Sequence, residues 1–187
     1  MKKSPIAYLT QDETKRLFSA IKSKRDRAIF LTAYRHGLRA SEVGLLQIVD
    51  ADLKRGRLTI QRLKNSLDGI QPMQPDEAKA LRAYLRTRKD DSPYLFLSQQ
   101  HSPISRYQLD HLMKHYGEAA GLPPEKRKFH SLKHSIATHL LDAGADLSFV
   151  KEWLGHANIS NTTIYARLTS STRDQAARRL FASHRVV

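Results

Sequence analysis

The chain has 187 residues, no cysteine and a formal net charge of +14, from 32 Lys and Arg against 18 Asp and Glu. This length suits one domain with a sizeable core, and the absence of cysteine excludes disulfides and thiolate metal sites. There is no run of about 18 apolar residues, and the basic start lacks a long apolar stretch, so neither a membrane span nor a secretory signal is predicted. The positive charge favours nucleic acid as partner; a basic protein kept soluble by its charge is the alternative.

Apolar periodicity and helix-capping residues predict helices along most of the chain. The predicted helices cover residues 10–21, 25–36, a short segment from 41, 76–88, 105–120, 131–143, 147–154, 160–168 and 172–184. Thr10 and Glu13 form a capping box at the first helix, Gly37 ends the second, and Ser41 is expected to cap the third.

One region of the sequence favours strands. Residues 58–60 alternate after a Lys-Arg-Gly turn, and residues 69–73 offer a return strand. The predicted fold class is therefore mainly α with a small antiparallel β-sheet.

A scattered set of basic residues, together with one tyrosine, carries the chemistry. These residues are Arg39, Lys64, His130, Lys133, His156 and Tyr165. Cations and imidazoles can hold a phosphodiester and neutralise its developing charge, and a tyrosine hydroxyl can supply the nucleophile. No acidic cluster accompanies the set, so metal-assisted hydrolysis is not expected, and neither a metal nor another cofactor is predicted. The combination indicates DNA strand transfer.

Four short motifs resemble those of the tyrosine recombinase (phage integrase) family. Residues 36–42 (HGLRASE) resemble its first arginine box, and residues 130–138 (HSLKHSIAT) resemble its second. Residues 154–156 (LGH), followed by Tyr165, resemble the third histidine and the nucleophile, and Lys64 lies where the family keeps a lysine beside a hairpin. The resemblance runs from about residue 8 to about residue 168, and its boxes are similar to those of short fimbrial phase-variation invertases.

The resemblance implies how the phosphate would be held. Arg39 and Lys133 would bind the non-bridging oxygens, and His130 and His156 would hydrogen-bond the phosphate or manage the tyrosine proton. The family usually has arginine where this chain has Lys133. Lysine keeps the positive charge but cannot form the bidentate hydrogen bonds of an arginine guanidinium. It would therefore stabilise the phosphorane with less directional hydrogen bonds.

The resemblance also implies a covalent step. Tyr165 would attack the phosphorus to give a 3′-phosphotyrosyl enzyme, and Lys64 would protonate the 5′ leaving oxygen. Each residue also has a structural interpretation. Lys64 could belong to a solvated basic strand, His156 could be a hydrogen-bonded core histidine, and Tyr165 could be a half-buried aromatic.

Several neighbouring residues are assigned supporting positions. Glu42 is expected to orient Arg39 or to stabilise its turn. His134 and His139 are expected to pack or cap rather than to act in the site, and Trp153 is expected to belong to the core.

The sequence predicts one catalytic domain over residues 1–187, with a C-terminal tail helix in 169–187 that would dock on a neighbouring subunit. The family's N-terminal core-binding domain is expected to be absent, although an excised domain of a longer integrase would look the same. The resemblance implies double-stranded DNA as partner, a tetramer on paired sites, possible accessory DNA-bending proteins and no membrane. It also implies a cytoplasmic, nucleoid-associated location in a bacterium or on a mobile element.

The expected function is site-specific recombination by integration, excision or inversion. Two other classes stay open at this point. One is a DNA-binding regulator on a weakened recombinase scaffold, and the other is a topoisomerase-like nickase-ligase.

Overall fold

The computed structural model describes residues 6–63, 66–166 and Arg178. Its helices are α1 (Gln11–Ala20), α2 (Lys24–His36), α3 (Ala40–Leu45), α4 (Pro75–Leu85), α5 (Arg106–Ala119), α6 (Ser131–Asp142), α7 (Leu147–Trp153) and α8 (Ser160–Ala166). One sheet contains β1 (Ala51–Asp52), β2 (Arg57–Ile60) and β3 (Gly69–Pro72). The predicted fold class, mainly α with a small antiparallel sheet, is confirmed. None of these helices is long and apolar enough to cross a membrane.

The sheet is an antiparallel meander in the order β1-β2-β3. Leu58 pairs with Gln71 and Ile60 pairs with Gly69, so the two strands of the predicted hairpin are in register. Leu58 and Ile60 are buried and Thr59 is exposed, as the alternating pattern predicts for a sheet with one face on the core. The hairpin therefore packs its apolar face inward and carries its connecting loop toward the end of α2.

Helix α2 is the centre of the core. It packs against α4 and α6, and its buried Phe30 makes edge-to-face ring contacts with Tyr116 and Phe129 at 5.8 and 5.4 Å. Ser23 caps its first turn by accepting from the Asp26 N–H. Because most residues of α2 are buried, the residues at its C-terminal end have fixed positions.

A buried polar network joins α2 to the hairpin and to α4. His36 bonds Gln71 Oε1 through Nδ1 at 2.8 Å and Glu77 Oε1 through Nε2 at 2.9 Å. The Gln71 amide also donates to Trp153 O at 2.7 Å, and the Trp153 ring stacks on His36. Trp153 is only partly buried and is not part of the hydrophobic core, so the prediction that it belongs to the core was wrong. Its ring stacks on His36 and its Nε1 donates to Arg35 O at 2.8 Å, which ties α7 to the end of α2.

Two predicted helix boundaries were wrong, and one strand was missed. Helix α3 begins at Ala40 with Arg39 as its N-cap, because Glu42 accepts the Arg39 N–H, and Ser41 does not cap it. Helix α4 ends at Leu85 rather than at residue 88, and the short strand β1 was not predicted. The predicted helix 172–184 lies outside the described residues, apart from an exposed, helical Arg178.

Gly37 generates a prediction about stability. It ends α2 with φ +58°, and a Cβ added there would lie 2.4 Å from Leu154 Cδ2. Gly56 has a similar φ of +65° but no atom within 4 Å of an added Cβ. Both Ala substitutions carry the left-handed strain of roughly 1–2 kcal/mol, and only Gly37→Ala adds overpacking, typically about 1–3 kcal/mol.

We therefore expect Gly37→Ala to lower the free energy of unfolding by about 1–3 kcal/mol more than Gly56→Ala does. Urea unfolding of the two variants measures this difference. Equal losses would show that the approach of α2 to Leu154 is not tight.

Candidate active site

Arg39 lies in the turn before α3, and one half of its guanidinium is already bound. Nη1 donates to Glu42 Oε1 at 2.6 Å and to Ser66 Oγ at 3.1 Å, with Leu63 O at 3.5 Å. Glu42 also accepts the Arg39 N–H at 2.8 Å, so it orients Arg39 as predicted. Among the described residues, Arg39 Nε and Nη2 have no hydrogen-bond partner. That edge of the guanidinium has the geometry to bind two phosphate oxygens.

A second arginine, Arg62, is buried beneath the first. Its Nη2 donates to His36 O at 2.8 Å and to Trp153 O at 2.9 Å. Its Nη1 donates to Gly37 O at 3.2 Å and to Glu42 Oε2 at 3.1 Å. Arg62 thereby joins the C-terminal ends of α2 and α7 to the carboxylate that orients Arg39.

Lys133 is only 1% exposed and points into the same region. Its Nζ donates to Gly37 O at 2.8 Å and to Leu154 O at 3.1 Å. Burial and the positive charge of Arg62 lower the pKa of Lys133 well below its ordinary value. As an ammonium group, Lys133 keeps one further N–H for a phosphate oxygen.

His156 is placed by the glycine turn that precedes it. Gly155 has φ +67°, an added Cβ would lie 2.7 Å from Leu67 O, and the Leu67 N–H donates to Gly155 O at 2.9 Å. His156 is buried and its Nδ1 bonds Thr162 Oγ1 at 2.9 Å, which ties the turn to α8. Burial, reinforced by the charge of Lys133, lowers the pKa of His156 to about 4.

Tyr165 is buried on α8 and is 2% exposed. Its hydroxyl is 2.9 Å from His134 Nδ1, and the two ring centroids lie 5.6 Å apart. Burial raises the pKa of Tyr165 to about 12, although Arg39 acts in the opposite direction. Helices α6 and α8 therefore present the tyrosine hydroxyl already hydrogen-bonded to an imidazole.

His130 and a group of cations line an open cleft of about 580 Å³ beside Arg39. His130 is exposed at the start of α6, and its ring meets that of His134 edge to face at 4.4 Å. The other basic residues of the cleft are Arg39, Arg106, Lys114, Arg127 and Lys128, and Asp110 is the one carboxylate among the described residues that line it. The cleft can accept an extended polyanion.

The three histidines of the site share an electrostatic environment. The main cause that lowers the pKa of each is the loss of water around the ring, which at His130 comes from the protein atoms beside the cleft. A protonated His130 would lower the pKa of His134 further, and the charge of Lys133 adds to the effect on all three. The imidazoles are therefore neutral at pH 7. An anion bound among them would offset the repulsion and raise all three pKa values.

The structure places five of the six predicted site residues in one region, and Lys64 lies outside the described residues. His130 and Lys133 differ in environment although they are three positions apart, because His130 is the exposed N-cap of α6 and Lys133 is buried within the helix. The prediction was wrong for His134, which bonds Tyr165 instead of only packing. It was right for His139, which bonds Tyr34 in the core at 2.8 Å.

Arg62 was missed altogether. Its side chain interacts with residues far away in the chain, and an arginine next to a strand carries no periodic signal of burial. In residues 6–63 and 66–166 no three His, Asp or Glu side chains are grouped as they would be around a metal ion.

Glu42 generates the second prediction. Burial alone would raise its pKa, but the Arg39 N–H and the charges of Lys133 and Arg62 outweigh burial and lower it below 4.5. Glu42→Gln leaves Arg62, whose side chain is 1% exposed, without its counter-charge. We expect the free energy of unfolding to fall by about 3–5 kcal/mol at pH 7.

The control is Glu118→Gln, since Glu118 is exposed and its pair with Arg127 spans 3.7 Å. It should cost no more than about 1 kcal/mol. The stabilisation by Glu42 is present above pH 4.5 and is lost as the pH falls through its lower folded-state pKa, so the difference between wild type and Glu42→Gln should shrink in acid. A difference that does not change with pH would contradict a charged Glu42.

Comparisons with known proteins agree with this arrangement. Residues 7–172 match the sequence profile described as the phage integrase family. The chain is 40% identical to tyrosine recombinase XerA of Thermococcus kodakarensis over 166 residues. The aligned region covers 86% of this chain and 58% of that protein. It is 34% identical over 167 residues to the type 1 fimbriae regulatory protein FimE of Escherichia coli, covering 84% of each.

Among solved structures, the crystal structure of XerA recombinase superposes with a TM-score of 0.81 at 30% identity, over 100% of this chain and 66% of that one. The chain spans 58–60% of the length of four XerA relatives. The family profile covers most of the sequence, and the fold agrees with it. The chain belongs to the phage integrase family and has the catalytic-domain fold of the tyrosine recombinases.

Proposed function

We propose that this protein is a site-specific DNA recombinase that cuts and rejoins DNA through a 3′-phosphotyrosyl intermediate. The observation that carries the proposal is the position of Tyr165, whose hydroxyl is hydrogen-bonded to an imidazole beside Arg39, Lys133 and His156. Relatives named tyrosine recombinases support strand exchange over a regulator without catalysis or a topoisomerase-like nickase-ligase.

The proposed roles begin with the phosphate. Arg39 would bind non-bridging oxygens through its Nε and Nη2 edge. Lys133 would donate a hydrogen bond to the same phosphate from the buried side of the site. His130, at the mouth of the cleft, and His156 would hydrogen-bond the same phosphate as neutral donors. These groups are positioned before the reaction, so they stabilise the phosphorane without reorganising.

Strand cleavage would then exchange one phosphodiester for another. Tyr165 attacks the phosphorus, its Oη–P bond forms, and the P–O5′ bond breaks as Lys64 gives a proton to the departing oxygen. The phosphotyrosine keeps the bond energy, so a 5′ hydroxyl from a second strand can reverse the step.

The proposed partner is double-stranded DNA, supported by the net charge of +14 and by the basic cleft. Assembly as a tetramer on two paired sites, with accessory DNA-bending proteins, belongs to the same proposal. The number of four subunits follows from the exchange chemistry, because two duplexes contribute four strands to be cut.

The nucleophile is tested with Tyr165→Phe. This change removes one hydroxyl and no charge, so covalent adducts on a nicked suicide substrate should disappear while DNA affinity changes less than about twofold. Tyr107→Phe is the control, because Tyr107 is 85% exposed and lies outside the site. Adducts that persist in Tyr165→Phe would identify a different nucleophile.

Lys133 is tested with two substitutions. Lys133→Met keeps the length of the side chain but removes the donor of Leu154 O and one of the two donors of Gly37 O. Because the ammonium group is lost as well, we expect cleavage to slow by about tenfold to a thousandfold. Lys133→Arg keeps the charge and introduces the guanidinium that the family usually has, which can form bidentate hydrogen bonds. The cleavage rate of this variant should therefore at least equal that of the wild type. An arginine variant as slow as the methionine variant would show that the site selects for the size of lysine instead.

A further inference from the structure

The hydroxyl of Tyr165 has a specific partner that the family resemblance did not assign. His134 Nδ1 lies 2.9 Å from Tyr165 Oη, a normal hydrogen-bond distance, and the pair is enclosed between α6 and α8. Two other titratable groups of the site are bound elsewhere, since His156 Nδ1 bonds Thr162 and Lys133 Nζ bonds two carbonyls, and the ring of His130 contacts that of His134. His134 is therefore the group in direct contact with the reacting oxygen.

We propose that His134 is a further catalytic residue, the one that accepts the hydroxyl proton of Tyr165 as the tyrosine attacks. This inference rests on the proposed recombinase function. In the proposed step, the Tyr165 Oη–P bond forms while the O–H proton moves to His134 Nδ1. The P–O5′ bond breaks, and the 5′ oxygen takes its proton from Lys64, a separate donor. On resealing, His134 returns its proton to Tyr165.

The geometry of the pair suits proton acceptance. A neutral imidazole with its ring proton on Nε2 offers the Nδ1 lone pair to the phenol, so the transfer needs no rearrangement. Tyr165 also cannot ionise by itself at neutral pH, because burial raises its pKa to about 12. The attack therefore needs a neighbouring base, and His134 is already in place.

Without DNA the base is weak, because its surroundings oppose a positive charge. Burial and the groups that face it, His130 and Lys133 on α6 and His156 after α7, lower the pKa of His134 to about 3. A phosphodiester bound by Arg39 brings a negative charge into this cluster and raises that pKa. Proton acceptance by His134 is thereby coupled to the presence of the substrate.

The test compares His134→Asn with His139→Asn in single-turnover cleavage of a nicked suicide substrate. Asn keeps a hydrogen-bonding atom near the position of Nδ1 but cannot accept a proton. His139 is the matched control, since it lies on the same helix and also bonds a tyrosine, Tyr34, away from the cleft. We expect His134→Asn to slow cleavage by about a hundredfold or more, with unchanged DNA affinity, and His139→Asn to cleave within about threefold of the wild type.

The leaving group distinguishes a base from an acid. A substrate with sulfur in place of the bridging 5′ oxygen expels a thiolate that needs no proton. The defect of His134→Asn should persist on this substrate, whereas that of Lys64→Ala should be rescued. Because His134 must be unprotonated to accept the proton, we expect the wild-type cleavage rate to rise with pH up to the pKa that His134 has beside bound DNA. This rise should be absent in His134→Asn, a change that a purely structural role would not produce.

Two results would overturn the proposal while leaving the recombinase function intact: wild-type adducts with an unimpaired His134→Asn variant, or full rescue of that variant by the sulfur substrate. A wild-type protein that forms no adduct on its own site would overturn the function and this proposal together. If His134→Asn fails to fold, ¹⁵N imidazole spectra of the wild type decide. An unprotonated Nδ1 that changes its shift in Tyr165→Phe supports acceptance, and a protonated Nδ1 contradicts it.

Discussion

Two helix C-termini converge on a pair of buried cations, and the active site depends on that contact. The carbonyls at the end of a helix lack partners within it, and they favour positive charge. Arg62 donates to carbonyls at the ends of α2 and α7, and Lys133 shares Gly37 O with Arg62 and also binds Leu154 O. Burying two cations is costly unless they are compensated, and here Glu42 and the carbonyls compensate them. The turns that carry Arg39 and His156 are fixed as a result.

Much of the fold could be predicted from local sequence. The capping box at Thr10, the glycine that ends α2 and the alternation in β2 each act within a few residues, and each was predicted correctly. The errors have a physical cause as well. The start of α3 is set by Glu42 binding back to Arg39, which competes with the expected serine cap. Strand β1 has only two residues, too few for a period to show.

The site was harder to predict than the fold, because its interactions join distant segments. Residue types in a recognisable order identified Arg39 and Tyr165. The partners of those groups depend on which helix faces meet, and sequence spacing does not give that. His134 and Tyr165 lie 31 positions apart, and Arg62 reaches a carbonyl 91 positions away. Sequence spacing also does not show that, of His130 and Lys133, the second is covered by the convergence of α2 and α7 and the first is exposed.

The hydrogen bonds of Arg39 with Ser66 Oγ and Leu63 O have a consequence for the direction from which a phosphate can bind. Together with Glu42 they occupy Nη1, so the Nε and Nη2 edge is the one that meets an incoming phosphate. A guanidinium held at one end loses less rotational freedom when a ligand binds to its other edge. The protein thereby sets the orientation of the bound phosphate before DNA arrives.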